Sequence, residues 1–325
     1  MIKEKSSVEQ IAKRIKGAKR VAIFTHVRPD GDALGSSFAL SLALDFLNID
    51  NDIYNESPMP SNLRFLPNLD RVQDTLKDKD YDLYIALDNA DISRLGVFAS
   101  EFEKAERKNI VTINIDHHVS NLSYARYNYV RDCSANCMNV AALIEALGVP
   151  MSESIAEYLL TGLLTDSGSF SHDDVTDECL LLAAKLVKTG ADIRKLNYEL
   201  FKKQSKARAK LHSEVMAKIR YFHDDKFAAI IIPLELIERY GADNGMTEGF
   251  VDFPLSVDTV EVAASIMEVK RGQYKISLRS KTYANVNQIA GVYGGGGHVR
   301  ASGCMLYGDV EEILDKLSYT VYQYL

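Results

Sequence analysis

VAIFTHVRPDGDALG, the stretch at residues 21–35, runs from a short apolar segment through a loop rich in aspartate and glycine into the start of a helical pattern. Four consecutive apolar residues at 21–24 are typical of a strand buried on both faces of a parallel sheet. The amphipathic segment at 35–46 is predicted to be the helix that follows this strand. The stretch therefore predicts the first β-α unit of an α/β domain.

Further apolar segments repeat this pattern in the first half of the chain. Residues 83–87 and 110–115 are predicted to be buried strands, and residues 138–147 an amphipathic helix. This alternation predicts a doubly wound parallel sheet with helices on its faces. A fourth apolar run at 159–164 has the character of a helix interior as well as that of a strand, and its assignment stays open at this point.

The second half of the chain is organised differently. Residues 192–220 are rich in helix formers and basic side chains, which predicts a linker helix with a solvated, charged face. The strands and the helix predicted after it lie at 226–233, 260–270 and 273–279 and at 286–292. We therefore expect three parts, which are an α/β domain at 1–191, a helical linker at 192–223 and a smaller α+β domain at 224–325.

The composition limits the class of protein. The 325 residues are 46% hydrophobic and 26% charged, which is enough for a substantial core in about two domains. A formal net charge of −7 argues against a protein that coats long nucleic acid, because that mode of binding needs a broad cationic face. A small phosphorylated substrate held in a local pocket is compatible with this charge.

The first residues and the cysteines bear on the location of the protein. The chain begins with polar residues where a signal peptide would need an apolar stretch, and no run approaches the ~20 apolar residues of a membrane span. Cys133, Cys137, Cys179 and Cys304 are scattered, and we expect neither a disulfide framework nor a zinc site from them. A cytoplasmic protein without a membrane partner is therefore expected.

Acidic residues and histidines follow each predicted strand of the first domain. His26, Asp30 and Asp32 come after the first strand, and Asp88 ends the second. The third strand and the open apolar run lead to four further candidates, Asp116, His117, His118 and Asp166. Because ligands of open parallel sheets collect outside the carboxyl ends of the strands, we expect these side chains to face one crevice.

So many carboxylates in one crevice would repel one another unless cations neutralised them. Aspartate oxygens mixed with imidazole nitrogens suit Mn²⁺, and Mg²⁺ less well, while the lack of thiolates argues against structural zinc. Two ions ~3.5–4 Å apart would lower the pKa of a shared water, so that it attacks phosphorus at neutral pH. The sequence predicts a bimetallic phosphoesterase in which Asp116 either binds metal or orients a neighbouring histidine.

A second cluster lies near the end of the chain, where four glycines at 294–297 precede His298 and Arg300. Amides of consecutive glycines can converge on an anion, because no β-carbon blocks the approach of a phosphate. His298 and Arg300 would add charge and hydrogen bonds, and Arg279 would add a bidentate guanidinium. The alternative for the glycines is a flexible linker, and we favour phosphate binding for this loop. The alternative for Arg279 is a surface arginine without a ligand, and the sequence does not decide between its two roles.

The motifs together resemble the DHH phosphoesterase family, in its two-domain form with a DHH-associated C-terminal domain. The metal motifs of that family correspond in order to His26-x-x-x-Asp30-Gly31-Asp32, Asp88, Asp116-His117-His118 and Asp166. The signature of its second domain corresponds to Gly295-Gly296-Gly297-His298 and Ala301-Ser302-Gly303. Six motifs in the same order along nearly the whole chain make the resemblance specific.

The resemblance implies a role for each of these residues. His26 and Asp30 would bind one manganese ion, Asp32, His117 and Asp166 would bind the other, and Asp88 would bridge the two. His118 would lie beside the scissile phosphate. The glycine loop and Arg279 would grip a phosphate of the substrate as the small domain closes. The chain departs from the family at 134–138, Ser-Ala-Asn-Cys-Met, where many members have small residues followed by glutamate.

Several substrates are compatible with this resemblance. The two-domain chain is most similar to family members that degrade very short RNAs and remove a phosphate from 3′-phosphoadenosine 5′-phosphate, and those substrates are our expectation. A soluble phosphodiesterase of cyclic di-AMP or its linear dinucleotide is the alternative, and a manganese pyrophosphatase ranks below it because its second domain has a different motif. A module that binds nucleotides without cleaving them is also conceivable, although the intact ligand set opposes it. No binding of long duplexes is expected, and the sequence allows a homodimer without fixing the oligomeric state.

Overall fold

The computed structural model describes residues 4–242 and 244–325, which form two compact units. The first unit ends at Lys203 and the second begins at Gln204, inside the segment predicted to be a linker. Residues 1–3 and 243, which fall in the two predicted domains, lie outside the described residues. Among the described residues, no helix combines the length and the apolar character needed to cross a membrane.

The first unit alternates strands and helices. Its described strands are β1 (Glu4–Lys5), β2 (Arg20–Thr25), β3 (Asp50–Tyr54), β4 (Val72–Gln73), β5 (Leu83–Leu87), β6 (Val111–Asp116) and β7 (Tyr127–Val130). Its helices are α1 (Val8–Lys16), α2 (Gly31–Phe46), α3 (Ala99–Lys104), α4 (Asn136–Ala146), α5 (Glu153–Asp166), α6 (Asp177–Thr189) and α7 (Ile193–Asn197). Short 3₁₀ turns cover Ser61–Leu63, Leu69–Arg71, Ile92–Phe98 and Ala105–Lys108, and a π-turn covers Tyr198–Lys202.

The strands of the first unit form one parallel sheet in the order β1-β7-β6-β5-β2-β3-β4. The order reverses at β2, which has β3 on one side and β5 on the other. The carboxyl ends of β2, β5 and β6 therefore lie side by side, with Thr25 paired to Leu87 and Leu87 to Ile115. A crevice at such a reversal is where open α/β sheets bind their ligands.

This architecture confirms the predicted doubly wound α/β domain. The apolar run at 159–164, which the sequence left undecided between helix and strand, belongs to helix α5. The hydroxyl of Ser152 caps the first turn of this helix. Its leucines look strand-like because the helix is buried along most of its length. Helix α2 begins at Gly31, before the predicted start, and most of its residues are buried because it packs against both the sheet and α5.

Helices α2 and α5 pack closely because both carry glycines where they meet, Gly35 in α2 and Gly162 in α5. A β-carbon added to Gly162 would lie 2.3 Å from Sγ of Cys137, 2.6 Å from Oδ1 of Asp32 and 2.9 Å from Cα of Asp32. Real β-carbons essentially never make such contacts, so only glycine fits at this position. The close packing places the start of α2 against α5.

The second unit is built around a mixed sheet. Its described strands are β8 (Arg220–Phe222), β9 (Phe227–Ile232), β10 (Val262–Lys270), β11 (Gln273–Ser280), β12 (Gly296–Gly297) and β13 (Ala301–Tyr307), in the order β12-β13-β11-β10-β9-β8. Its helices are α8 (Lys206–Met216), α9 (Leu234–Tyr240), α10 (Asp252–Leu255), α11 (Val286–Val292) and α12 (Val310–Tyr322), with a 3₁₀ turn at Asn244–Thr247. Strands β9 and β10 are parallel, and the other pairs are antiparallel.

Two layers of helices cover parts of this second sheet. Helices α11 and α12 pack on one face in a cluster that includes Val286, Leu314 and Leu317. On the other face, α8, α9 and α10 pack over β9 and β10. The expected smaller α+β domain is thus present.

The segment predicted to be one linker helix is folded differently from that expectation. It contains α7 and α8, and the hydroxyl of Ser205 accepts a hydrogen bond from the amide of Arg208 to start the second helix. Its last residues form β8, which pairs with β9. The break follows from this capping serine, because an N-cap begins a new helix rather than continuing the old one. The boundaries at 191 and 223 stay predictions.

Candidate metal centre

The loop after β2 holds three of the predicted site residues in fixed positions. Asp30 caps helix α2, and its Oδ1 accepts hydrogen bonds from the amides of Asp32 (3.1 Å) and Ala33 (3.0 Å). Its Oδ2 lies 3.6 Å from Nε2 of His26. Nδ1 of His26 lies 3.0 Å from the carbonyl oxygen of Val27, to which it can only donate. Nε2 of His26 is therefore the nitrogen that faces the carboxylates.

Asp88 lies at the centre of the cluster. It follows β5 and is buried, with Oδ2 at 3.5 Å from Nε2 of His26 and Oδ1 at 3.4 Å from Nε2 of His117. Its backbone has a φ of 53°, a conformation that residues other than glycine rarely adopt. Among the described residues, Oδ1 of Asp88 has no hydrogen-bond partner. A buried carboxylate oxygen without a donor is what a cation would satisfy.

The two histidines after β6 are held in different ways. Nδ1 of His117 donates to the carbonyl oxygen of Cys133 (2.8 Å), and its Nε2 lies 3.3 Å from Oδ2 of Asp166. Nδ1 of His118 lies 2.8 Å from Oδ1 of Asp116. His117 is thus oriented by a backbone carbonyl and His118 by a carboxylate, and both are common partners of histidine ligands of metals.

Asp32 is held by the start of a helix distant in sequence. It is fully buried, and it accepts hydrogen bonds from the amides of Asn136 (2.5 Å) and Cys137 (2.9 Å) in the first turn of α4. The N-terminal end of a helix favours a negative charge. Met138, the last residue of the segment at 134–138, is buried in the main core of the unit. In this chain the departing segment positions Asp32 through its backbone.

Three overlapping groups of side chains each present ligand atoms within 4.8 Å of one another. They are His26, Asp30 and Asp88; Asp32, His117 and Asp166; and Asp88, His117 and His118. Oxygen and imidazole donors in this mixture suit Mn²⁺ or Mg²⁺ better than a structural zinc ion. The donor set and the orphaned oxygen of Asp88 both fit a pair of divalent cations.

The pKa values of the side chains in the cluster also indicate a site for cations. Burial lowers the pKa of His26, but two neighbouring carboxylates outweigh it and raise that pKa to about 10. Burial likewise opposes protonation of His117, and Asp88 outweighs it, so that the pKa rises. Burial and the charges of nearby carboxylates raise the pKa of Asp32 and of Asp166. Without cations the cluster would retain protons, and bound cations would take their place.

A network of buried asparagines beside the cluster was missed by sequence reasoning. The side-chain nitrogen Nδ2 of Asn121 donates to Oδ2 of Asp116 (2.5 Å) and to Oδ1 of Asn114 (2.8 Å). The side chain of Asn139 donates to the carbonyl oxygen of Asp116 (3.0 Å). The one sequence signal was Asn114, an amide side chain between two isoleucines of a buried strand. The network fixes Asp116, which in turn orients His118.

The predicted phosphate-binding residues lie in the second unit. A β-carbon on Gly295 would lie 2.2 Å from the carbonyl oxygen of Gly303, and Gly297 has a φ of 147°. Glycine is therefore required at 295 and 297, because β12 packs tightly against β13. A β-carbon on Gly296 would make only an ordinary contact, 3.8 Å from Oδ1 of Asn287. His298 follows β12, and its backbone amide donates to Ala301.

The two predicted arginines differ in their surroundings. Arg300 donates to the carbonyl oxygens of Ala284 and Thr282, so its guanidinium is engaged within the unit. Arg279 donates only to the carbonyl oxygen of Leu278 (3.0 Å) among the described residues. Contact of either arginine with substrate stays a prediction.

Comparison with known proteins connects this geometry to a family. Residues 20–163 match the N-terminal domain of the DHH family, and residues 224–323 match the DHHA1 domain. A bifunctional oligoribonuclease and PAP phosphatase NrnA of Thermus thermophilus is 33% identical over 95% of this chain and 91% of its own length. The chain belongs to the DHH family.

Further similarities agree with this membership. A probable NrnA of the same description from Streptococcus mutans is 30% identical over 94% of this chain and 96% of its own length. A crystal structure of an exopolyphosphatase-related protein from Bacteroides fragilis superposes with a TM-score of 0.87 at 26% identity, covering 98% of this chain and 96% of that one. DHH-family membership implies the use of divalent metal ions, for which the cluster around Asp88 provides candidate ligands.

Proposed function

We propose that this chain is a manganese-dependent phosphoesterase that hydrolyses very short oligoribonucleotides to mononucleotides and removes a phosphate from 3′-phosphoadenosine 5′-phosphate. The observation that carries the proposal is the double role of Asp88, which belongs to two of the three ligand groups and has an orphaned oxygen. The names of the Thermus and Streptococcus relatives support the two substrates. A cytoplasmic location is part of the proposal and agrees with four free cysteines.

The residues divide between two half-sites that share Asp88. His26 and Asp30 would hold one ion, and Asp32, His117 and Asp166 the other. When bound, the pair of divalent cations would supply a water of lowered pKa and neutralise charge on the phosphate. The backbone carbonyls that hold Nδ1 of His26 and of His117 keep Nε2 of each ring directed at the carboxylates.

His118 has a separate task in this proposal. Its side chain is one-third exposed, so that a substrate can reach it. The carboxylate of Asp116 accepts a hydrogen bond from Nδ1 and fixes the orientation of the ring. Nε2 of His118 can then donate to the phosphate or to the leaving oxygen. Asp116 is therefore the residue that orients His118, rather than a third ligand of a metal ion.

Residues of the second unit would bind the substrate. Arg279, the loop of Gly295, Gly296, Gly297 and His298, and Arg300 are proposed to hold a phosphate. Arg279 is favoured over Arg300 as the direct contact, because the guanidinium of Arg300 already donates to two backbone carbonyls. Arg300 would act by holding the segment around Ala284 in place.

The test compares Asp88→Asn with a matched control. Release of mononucleotides from a labelled dinucleotide is measured with Mn²⁺ present, and we expect Asp88→Asn to abolish it, since the shared ligand is lost. Asp91→Asn is the control, because Asp91 only caps a 3₁₀ turn and asparagine caps equally well. Full turnover by Asp88→Asn would contradict the metal assignment.

Four substrates then separate this function from its alternatives. Under identical conditions, the proposal expects turnover of the dinucleotide and of 3′-phosphoadenosine 5′-phosphate. Faster hydrolysis of cyclic di-AMP would instead support a cyclic-dinucleotide phosphodiesterase, and hydrolysis of pyrophosphate alone would support a pyrophosphatase. Binding without hydrolysis of any of the four would identify a nucleotide-binding module.

A further inference from the structure

The side of the second sheet toward α8, α9 and α10 is only partly covered: α10 contacts β11 as well as β9 and β10, and the remaining surface of β11 and β13 on that side is the uncovered face. The apolar clusters on the side of α8, α9 and α10 include residues of β9 and β10 but, among the described residues, none of β11 or β13. Successive side chains of a strand alternate between the two faces. Tyr274, Ile276 and Leu278 enter the cluster with α11 and α12, so their neighbours in β11 lie on the uncovered face.

This uncovered face carries a row of polar and cationic side chains. Gln273, Lys275, Ser277 and Arg279 occupy alternate positions of β11 and so lie along one line. At ~3.4 Å per residue, the row is ~20 Å long. Among the described residues, the side chains of Gln273, Lys275 and Ser277 form no hydrogen bond or ion pair with the rest of the chain. The row begins at Arg279, which is a predicted phosphate contact.

The neighbouring strand provides apolar surface beside this row. In the antiparallel register, Tyr307 is opposite Gln273, Met305 is opposite Lys275, and Gly303 is opposite Ser277. The side chain of Tyr307 is 70% exposed, and Met305 is half-buried and belongs to no described apolar cluster. An aromatic ring on an open sheet face is the surface on which unpaired RNA bases stack.

The charge of this face is unusual in a chain with a net charge of −7. Beyond Gln273, the turn between β10 and β11 adds Lys270 and Arg271, which form no ion pair within the described residues. Two carboxylates at that end, Glu268 and Asp309, accept hydrogen bonds from backbone amides. The face therefore presents cations to an anionic strand and a tyrosine to its bases.

We propose that the uncovered face of β11 and β13 binds the further nucleotides of a single-stranded oligoribonucleotide, with Lys275 on a phosphate and Tyr307 under a base. This inference rests on the proposed function, because it begins from the phosphate held at Arg279. It assigns a determinant of substrate length: a dinucleotide or a nucleotide bisphosphate ends before Lys275 and Tyr307, whereas a pentanucleotide reaches them.

The test uses Tyr307→Ala and Lys275→Ala in the full chain, with matched controls on α12. Tyr319→Ala and Lys316→Ala are those controls, because both side chains are exposed on the helix that packs on the opposite face of the sheet. We expect Tyr307→Ala to weaken binding of a labelled pentanucleotide about fivefold or more, as the loss of one base stack does. For Lys275→Ala, the slope of the logarithm of the pentanucleotide association constant against the logarithm of salt concentration should become less negative by about 0.7.

The substrate comparison decides the outcome. Turnover of the dinucleotide and of 3′-phosphoadenosine 5′-phosphate should be unchanged in both variants, while kcat/KM for the pentanucleotide falls. An equal effect on all substrates, or none on the pentanucleotide, would overturn the inference. A shift of oligomeric state in Tyr307→Ala with unchanged pentanucleotide binding would also overturn it and assign the face to a second copy of the chain.

Failure of the proposed function remains distinguishable from failure of this inference. Pentanucleotide binding is measured by fluorescence anisotropy without metal, so it does not depend on cleavage. If the wild-type chain cleaves nothing but binds the pentanucleotide through Tyr307 and Lys275, the inference about the face stands and the proposed hydrolysis fails.

Discussion

At the scale of single residues, the centre depends on side chains that are fixed before any ligand arrives. Asp88 keeps a left-handed backbone at the end of β5, and such strain is held in place only where the surrounding structure supports it. Asp32 is fixed by amides of α4, and Asp116 by Asn121 and Asn139. The carboxylates therefore cannot move apart to relieve their repulsion, which favours cations in their midst.

Replacement of Asp116 separates its two possible roles. We expect Asp116→Ala to lower kcat by ~10–100-fold, because His118 loses the carboxylate that orients it. The number of Mn²⁺ ions bound, measured by calorimetry, should stay at two. Asp116→Asn should recover part of the activity, since its carbonyl oxygen can still accept from Nδ1. Loss of one bound ion in Asp116→Ala would show instead that Asp116 is a ligand.

Asp52 provides a prediction about stability and pH. Burial raises its pKa, but hydrogen bonds from Lys79, Tyr81 and Gln73 outweigh burial and lower the pKa to about 2. Because the folded-state pKa lies below the ordinary value of 3.8, Asp52 stabilises the fold above about pH 4, and this contribution disappears as the pH falls toward 2.

Asp52→Asn should therefore lower the free energy of unfolding by ~2 kcal/mol at neutral pH. The difference from the wild type, measured by urea denaturation, should shrink between about pH 4 and pH 2. Asp50→Asn is the matched control on the same strand; its exposed pair with Arg20 should contribute little. A difference that persists at pH 2 would contradict the assigned pKa shift.

At the scale of elements, the packing of α2 on α5 links the core to the site. Gly162→Ala would push a β-carbon into Cys137 and into both the side chain and the backbone of Asp32. We expect a loss of ~1–3 kcal/mol in thermal or denaturant unfolding, as overpacked cores show. Mn²⁺ affinity should fall as well, because Asp32 is displaced.

Gly291→Ala is the control for that substitution. Gly291 lies in α11 without a positive φ, and a β-carbon added there would meet no described atom within 4 Å, so alanine should be neutral or slightly stabilising. If Gly162→Ala were equally well tolerated, the close approach of α2 and α5 would not limit the fold, and the link from helix packing to Asp32 would be lost.

At the scale of the whole molecule, one unit contains the candidate metal centre and the other the proposed RNA face. If Mn²⁺ binds to the folded chain and not to the unfolded chain, it should stabilise the fold by ~2.7 kcal/mol at a hundred times the dissociation constant. We expect hydrogen exchange to slow in α2, β5 and β6, whose ends carry the ligands. Asp88→Asn should show no such protection; protection that persists in this variant would place the ions elsewhere.

The sequence by itself determined three of the parallel strands of the first unit, β2, β5 and β6, and the residues at their carboxyl ends. Apolar runs and amphipathic segments are local patterns, and the parallel sheet brings the ends of neighbouring strands to one edge. His26, Asp88 and His117 could therefore be assigned to one crevice from their places in the chain. The order of the motifs also identified the family.

Only the tertiary structure decided the contacts between distant segments. Asp32 meets Asn136 across about a hundred residues of chain, and Asn121 meets Asp116 through a loop without a regular pattern. The uncovered face of β11 and β13 belongs to the same class. Periodicity specifies which face of an element is apolar, whereas the partner of that face, or its lack of one, depends on how all the elements pack together.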